Sequence, residues 1–446
     1  MSSPSCTLQR SSVRALTLCV CCTLAACRPA HQPDTSEVFS DSFPGEPTSW
    51  DVDFSNRRVT DEQLQALTQR TPFRSLKLAR SEISIDQMKL IGLLGKLEAL
   101  DLSWNNVDED GVAHLAACRN IKTLWLTGTR ITGKGLAKLR PLVQLQHLDL
   151  SFTPVGDDDL RELSFFPKLR TIGVGGDRIT DAGVKNIAEL ANLETVSVGA
   201  SKNVTGVGVR ALVARPGLKH LVLTALPLTD DDISHLAALD ALLSLDLREM
   251  PVTDSSLKTV GKFPGLKRFG ASQTRISGRG LGSMDNVDSL TSLELSGSDV
   301  YADFSSVLRK CVKLRRLDLR SSRMPPEALD SIGDCKELRS VDLSGATLPD
   351  EVFGRLGECK ALEELVMSRI RLTDEQFRRL GRLETLVVLD LSYTSVSDDS
   401  IDTIAGMRKL KRLYVGGSRL SEDGIRRIRG VLPEVEVFLG PRSGPV

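Results

Sequence analysis

The chain has 446 residues, in which 58 Lys+Arg are balanced by 58 Asp+Glu for a formal net charge of zero. That balance excludes the strongly basic footprint of a nucleic-acid binder, and no nucleic-acid partner is expected. Aromatic residues make up only 4% of the chain, so any cluster of them stands out.

Residues 1–26 carry Arg10 and Arg14 as their only charges. The apolar run Ala15–Ala26 is too short to span a hydrocarbon core of about 30 Å and reads as a targeting segment. It ends in Leu24-Ala25-Ala26-Cys27, which resembles the lipobox of bacterial lipoproteins. The resemblance implies a signal peptide over 1–26 and a diacylglycerol on the sulfur of Cys27. It also implies a protein of the cell envelope, lipid-anchored to a bacterial membrane, since each buried CH₂ adds about 0.8 kcal/mol. An ordinary secretory signal with an A-x-A-like cleavage site is the alternative. Removing 1–26 leaves 56 basic against 58 acidic residues. Residues 27–48 contain Pro29, Pro33, Pro44 and Pro47 without periodicity. They read as a flexible tether with an r.m.s. span of roughly 25 Å.

From Ser49 onward the chain repeats. Sixteen segments share a 24-residue register through residue 433, with Leu97, Ile121, Leu145, Leu169 and Leu193 opening five of them. One extra residue near Lys202–Asn203 shifts the phase, after which Leu218, Leu242, Leu266 and their successors open segments to Leu410. Positions 4 and 6 are apolar (Leu100/Leu102, Leu124/Leu126, Leu148/Leu150), while position 5 is usually polar (Asp101, Asp149, Asp246, Asp318). This alternation predicts a half-buried strand. Position 11 is aliphatic, position 12 is commonly Ser or Thr followed by Asp, and positions 16 and 19 are apolar. A capped short helix is expected there, with the acid favouring the positive end of its dipole. A unit this small cannot bury its own apolar face, so neighbours must stack and share one core.

This pattern resembles leucine-rich repeats, and most closely the cysteine-containing, ribonuclease-inhibitor-like variant. Residues 121–139 (IKTLWLTGTRITGKGLAKL) show it well. The resemblance implies an α/β fold: a leucine-rich-repeat solenoid, or horseshoe, of about sixteen strand–turn–helix repeats with a parallel sheet on the concave face. Gly156, Tyr301, Pro325 and Pro349 replace the cap at position 12, so irregular convex turns are expected around 300–350. Trp50, Val52 and Phe54 are expected to cover the open core at the N-terminus, and residues 434–446 to form a closing strand and tail.

Cys118, Cys311, Cys335 and Cys359 all occupy position 22, where other segments carry Leu or Phe. They are expected to be buried, free thiols. No HExxH, GxSxG or P-loop pattern occurs, and no CxxC or Cys/His cluster lies in the repeat region, so no enzymatic activity, cofactor, metal or small-molecule substrate is expected. His147 and His220 fall on strands three repeats apart, too distant to share one metal. The runs Asp157–Asp159 and Asp230–Asp232 read as helix caps rather than calcium ligands. The position-5 acids and nearby arginines, such as Arg315, Arg316 and Asp318, read as a solvated ion-pair lattice. On the concave face, Trp104, Trp125, Phe152 and His147 come together, flanked by Asp101 and Asp149. Exposed aromatics anchor protein interfaces, and this group is the expected partner-binding patch. Replacing Trp125 by Ala should therefore leave the solenoid folded. Tyr393, Tyr414, Arg369 and Arg412 form a second candidate, and the glycines of repeats six and seven leave a bare trough between the two. The expected function is non-enzymatic protein–protein interaction, which is also the usual role of the resembled family. A structural, adhesive or glycan-binding surface protein is the alternative.

Overall fold

The computed structural model describes residues 50–69, 73–381 and 383–440. The expected signal peptide, Cys27, the expected tether and residues 441–446 lie outside them. The first eight strands are β1 (Val52–Asp53), β2 (Ser75–Lys77), β3 (Ala99–Asp101), β4 (Thr123–Trp125), β5 (His147–Asp149), β6 (Thr171–Gly175), β7 (Thr195–Gly199) and β8 (His220–Thr224). Nine more follow: β9 (Ser244–Asp246), β10 (Arg268–Gly270), β11 (Ser292–Glu294), β12 (Arg316–Asp318), β13 (Ser340–Asp342), β14 (Glu364–Val366), β15 (Val388–Asp390), β16 (Arg412–Tyr414) and β17 (Glu436–Phe438). Every strand pairs in parallel with the next in sequence, giving one seventeen-stranded sheet. The register steps by one repeat at each pair, as in Leu76↔Leu100, Leu100↔Leu124 and Leu124↔Leu148.

Strand residues at position 4 and the following position 6 point into the core: Leu100, Leu102, Leu124 and Leu126 are completely buried. Each such leucine contributes about 1.5–3 kcal/mol, and its neighbours are mostly the equivalent residues of adjacent repeats. Short α- and 3₁₀-helices cover the other side of this core. Strands stack about 4.8 Å apart and packed helices about 8–10 Å apart, so the stack bends into a horseshoe with the sheet on its inner wall.

The helix starts follow the expected caps. Thr60, Ser84 and Thr373 form capping boxes with Gln63, Gln87 and Gln376. Where position 12 departs, the convex side is irregular. After Gly156 the segment Asp159–Phe165 is 3₁₀, and after Pro325 two 3₁₀ pieces, Pro326–Leu329 and Ile332–Asp334, replace a helix. Phe304–Lys310 and Glu351–Leu356 begin without a side-chain cap.

The extra residue is absorbed in one turn. Val204 takes the aliphatic slot one residue later than the 24-residue step predicts, and Lys202 and Asn203 bond back to Asp177 (2.7 and 3.0 Å). At position 22, Cys118, Cys311, Cys335 and Cys359 are free and buried. Each thiol donates to a main-chain carbonyl of the preceding repeat: Ile91 (3.6 Å), Val287 (3.7 Å), Leu308 (3.4 Å) and Ile332 (3.6 Å). At the ends, Val52, Phe54 and Val437 pack partly buried against the core, and Phe438 stacks on Tyr414 with ring centroids 4.6 Å apart.

Candidate binding surface on the inner wall

Two kinds of side chain decorate the inner wall: those at strand positions 3 and 5, and those on the turn that leaves each strand. The turn has a fixed conformation. The residue at position 8 of each repeat adopts a left-handed backbone, from Asn56 (φ 59°), Arg80 (56°) and Trp104 (59°) to Tyr393 (58°) and Gly417 (71°), and Glu82 (54°) adds a second in its repeat. This conformation costs a non-glycine residue about 1–2 kcal/mol. The turn is held because its N–H donates to a carbonyl of the next repeat, as Trp104 does to Thr127 (2.7 Å) and Phe152 to Gly175 (2.9 Å).

The position-8 side chains therefore form a single row along the rim. The Arg80 guanidinium lies over the Trp104 ring at 5.4 Å, and Trp104 stacks on Phe152 at 6.0 Å across the intervening repeat. That repeat supplies Gly128, where an added Cβ would sit 2.4 Å from the Trp104 ring. Glycine is needed there twice, for its backbone and for the indole above it. Trp104 and Phe152 remain 39% and 40% exposed. A second group has the same form: Arg369 lies 4.9 Å over the ring of Tyr393, and Tyr393 covers Gly417.

Trp125 is placed differently from the expectation. It is only 8% exposed, because the ring of Trp50 packs against it with centroids 5.4 Å apart and planes tilted by 58°. Trp50 thus lies across the inner wall instead of capping the open core, which Val52 and Phe54 cover. Trp125→Ala would consequently remove packing as well as surface.

Asp101 and Asp149 are also buried, at 3% exposure each. Their carboxylates accept the N–H two residues on, from Ser103 and Ser151 (2.8 Å each). Asp246, Asp318, Asp342 and Asp390 do the same for Arg248, Arg320, Ser344 and Ser392. The position-5 acids are thus holders of the strand-exit turn, not members of a solvated lattice. Arg248 and Arg320 pair with Asp246 and Asp318 from position 7, while Arg315 pairs with Glu337 (2.9 Å). Burial pushes the Asp149 carboxyl above its ordinary range. Burial, with Asp318 beside it, raises Asp342 to about 6.

His147 sits at the edge of the patch, its Nδ1 2.8 Å from the Thr171 hydroxyl. Burial, reinforced by the Arg170 charge, lowers it to about 4, so it is neutral at neutral pH. Burial and the charges of Arg268 and Lys219 do the same to His220. Between these histidines, Gly173, Gly175 and Gly199 leave the trough bare, and β6, β7 and β8 lengthen to five residues.

The Asp at position 13 also has a role the sequence did not reveal. Its carboxylate reaches forward to the cap of the next repeat: Asp157 to Thr180, Asp230 to Thr253, Asp254 to Ser277 and Asp398 to Ser421, each accepting both N–H and O–H. The glycine at position 15 makes room for it; a Cβ on Gly183 would lie 2.3 Å from Asp157. The small residue three positions after these caps, Gly183, Ser256, Gly280 and Gly424, was the signal. Among the described residues, no group of three or more His, Cys, Asp or Glu side chains is placed to hold a metal ion.

A parallel sheet with one left-handed turn per 24 residues and one shared core decides the architecture. It is a leucine-rich-repeat solenoid. A family model described as a leucine-rich repeat matches residues 96–116 and 144–164. No curated protein matches the chain. Solved structures similar to the solenoid include an internalin of Listeria monocytogenes, 16% identical over 86% of this chain and 94% of that one, with a TM-score of 0.38. A leucine-rich-repeat protein of Leptospira interrogans is 17% identical over 86% and 99%, with a TM-score of 0.46. The mouse RP105/MD-1 complex is 16% identical over 87% and 72%, with a TM-score of 0.49.

Proposed function

We propose that the solenoid is a non-enzymatic scaffold that binds a protein partner on its inner wall, held at the cell envelope of a bacterium by a lipid on Cys27. The observation that carries the binding reading is the Arg80–Trp104–Phe152 row. It puts two half-exposed rings side by side on the rim, in a chain otherwise poor in aromatics. Aromatic and arginine side chains dominate binding hot spots. Trp104 and Phe152 serve as anchors, with His147 at their edge. Trp125, Asp101 and Asp149 lie beneath and shape the wall.

Crosslinking in cells tests this, comparing wild type with a Trp104→Ala/Phe152→Ala variant. Loss of a captured protein in the variant alone supports the reading; unchanged capture removes the patch from it. The anchor is tested separately by metabolic labelling with a fatty acid, which Cys27→Ser abolishes. The flat Trp104 and Phe152 faces also favour a second reading, stacking on a sugar ring. Retention of the wild-type solenoid on isolated cell-wall glycan, with no protein captured, would select it.

A further inference from the structure

We propose that the inner wall between Lys77 and Trp125 is a seat for an aromatic side chain presented by the partner, and that the chain's own Trp50 holds this seat in the unbound protein. The proposal rests on the reading that the inner wall binds a protein.

The seat is defined by its present occupant. Trp50 precedes β1, yet its ring lies against Trp125 on β4, three strands away. Three strand spacings amount to about 14 Å, so the two indoles must lean toward each other over β2 and β3. On the near side the Lys77 ammonium lies 5.8 Å from the centroid of the Trp50 ring. On the far side Trp125 meets that ring at a tilt of 58°. A cation and a tilted ring are the two groups that favour the electron-rich face of an aromatic over an aliphatic side chain of equal area.

Trp125 itself is out of keeping with its column. The position-5 residues around it are Lys77, Asp101, Asp149, Gly173 and Ser197, all small or charged. An indole there would stand on the wall as a large apolar group were Trp50 not lying on it.

Trp50 is attached in a way that permits exchange. The pivot is fixed: Asp51 accepts the N–H groups of Arg74 (2.6 Å) and Ser75 (2.9 Å), and its own N–H donates to the Ser75 hydroxyl (2.8 Å). The strand that follows is only two residues long and pairs on one side, and such ends open at low cost. A tethered ring competes at a high effective concentration, so a single free aromatic group displaces it poorly. A partner that also grips the adjoining Arg80–Trp104–Phe152 row gains enough contact to do so.

The test uses the full chain labelled with 5-fluorotryptophan, whose three resonances (Trp50, Trp104, Trp125) are assigned by single substitutions. The probe is N-acetyl-L-tryptophanamide at millimolar concentration. Trp50→Ala opens the seat, so the Trp125 resonance shifts saturably with the probe and returns toward its wild-type position. Wild type shows at least threefold less shift at the same concentration, as does Trp50→Ala/Lys77→Ala. N-acetyl-leucinamide moves the resonance in neither. Trp50→Leu, which keeps apolar cover without a ring face, gives the same result as Trp50→Ala and serves if the alanine variant does not fold. No shift in either opened variant, or an equal shift with the leucine probe, overturns the seat. In cells, Trp50→Ala raises crosslinked capture at least threefold and Trp50→Ala/Trp125→Ala cancels the gain. A protein captured equally with and without Trp50 overturns this proposal and leaves the partner reading standing. Probe binding with no protein captured by either form overturns the partner reading, and with it the partner's role here.

Discussion

The carboxylate of Asp181 accepts both the main-chain N–H and the hydroxyl of Thr205, 2.7 Å each, and the N–H of Gly208 at 3.0 Å. A residue that begins one helix thereby completes the cap of the next. Asp181→Ala removes all three bonds, and hydrogen bonds to a charged group are worth about 1.5–3 kcal/mol. Faster hydrogen exchange at the Thr205 and Gly208 amides, with distant repeats unchanged, is the expected outcome.

The same links set the response to acid. Hydrogen bonds from the Ser421 hydroxyl and N–H lower the Asp398 carboxyl. Burial alone would raise Asp230 and Asp374, but bonds from the Ser and Thr groups around them win and lower both. A lowered folded value means stabilisation that is complete above the unfolded value of about 3.9 and is lost as pH falls through the folded ones. Unfolding by acid is expected below pH of about 4. An Asp374→Asn/Asp398→Asn variant should have a shallower melting-temperature profile in that range.

Asp342 has the opposite sign. Its carboxyl is raised to about 6 by burial and by Asp318, its partner in register. Between the unfolded value and 6 the folded state binds the extra proton, so ionisation of Asp342 weakens the fold as pH rises. Asp342→Asn keeps an oxygen for the Ser344 N–H and removes the charge. It is expected to melt higher than wild type at pH 7.5 and equally at pH 4, as followed by circular dichroism.

Gly128→Ala combines a left-handed backbone with a Cβ 2.4 Å from the Trp104 ring. The backbone alone costs about 1–2 kcal/mol. The variant should melt lower and shift the Trp104 fluorescence as the indole is driven off its neighbour. Gly354→Ala, where an added Cβ meets nothing within 4 Å, is the matched control.

The position-22 thiols are expected to be inert in the folded state. Burial pushes Cys118 to about 11 and Cys311, Cys335 and Cys359 to about 12, and only the thiolate reacts. Alkylation at pH 8 followed by peptide mass mapping should leave these four unmodified until denaturant is added.

Much of this was legible in the sequence because a 24-residue period constrains each apolar position many times over. The strands at positions 3–5, the buried Leu100 and Leu124 columns and the shift at Lys202–Asn203 all follow from it. Side-chain hydrogen bonds were not legible, because a carboxylate such as Asp157 has two caps within reach, its own and the next. Only the stacking geometry makes Thr180 the choice. Asp101 was misplaced for a related reason: alternation puts it on the wall but does not reveal the Ser103 N–H waiting behind it. Trp50 escaped because its contact with Trp125 crosses three repeats, and the curvature that brings them together is a property of the whole stack.

The two edges of a repeat are not alike. On the leading edge the left-handed N–H, as at Trp104, donates to a carbonyl of the successor, and a carboxylate such as Asp181 accepts the hydroxyl and N–H of the successor's cap. Excising or duplicating 24 residues therefore keeps each column in register and brings matching edges together, whereas a change of any other length does not. Length is a quantity this molecule can vary in whole units.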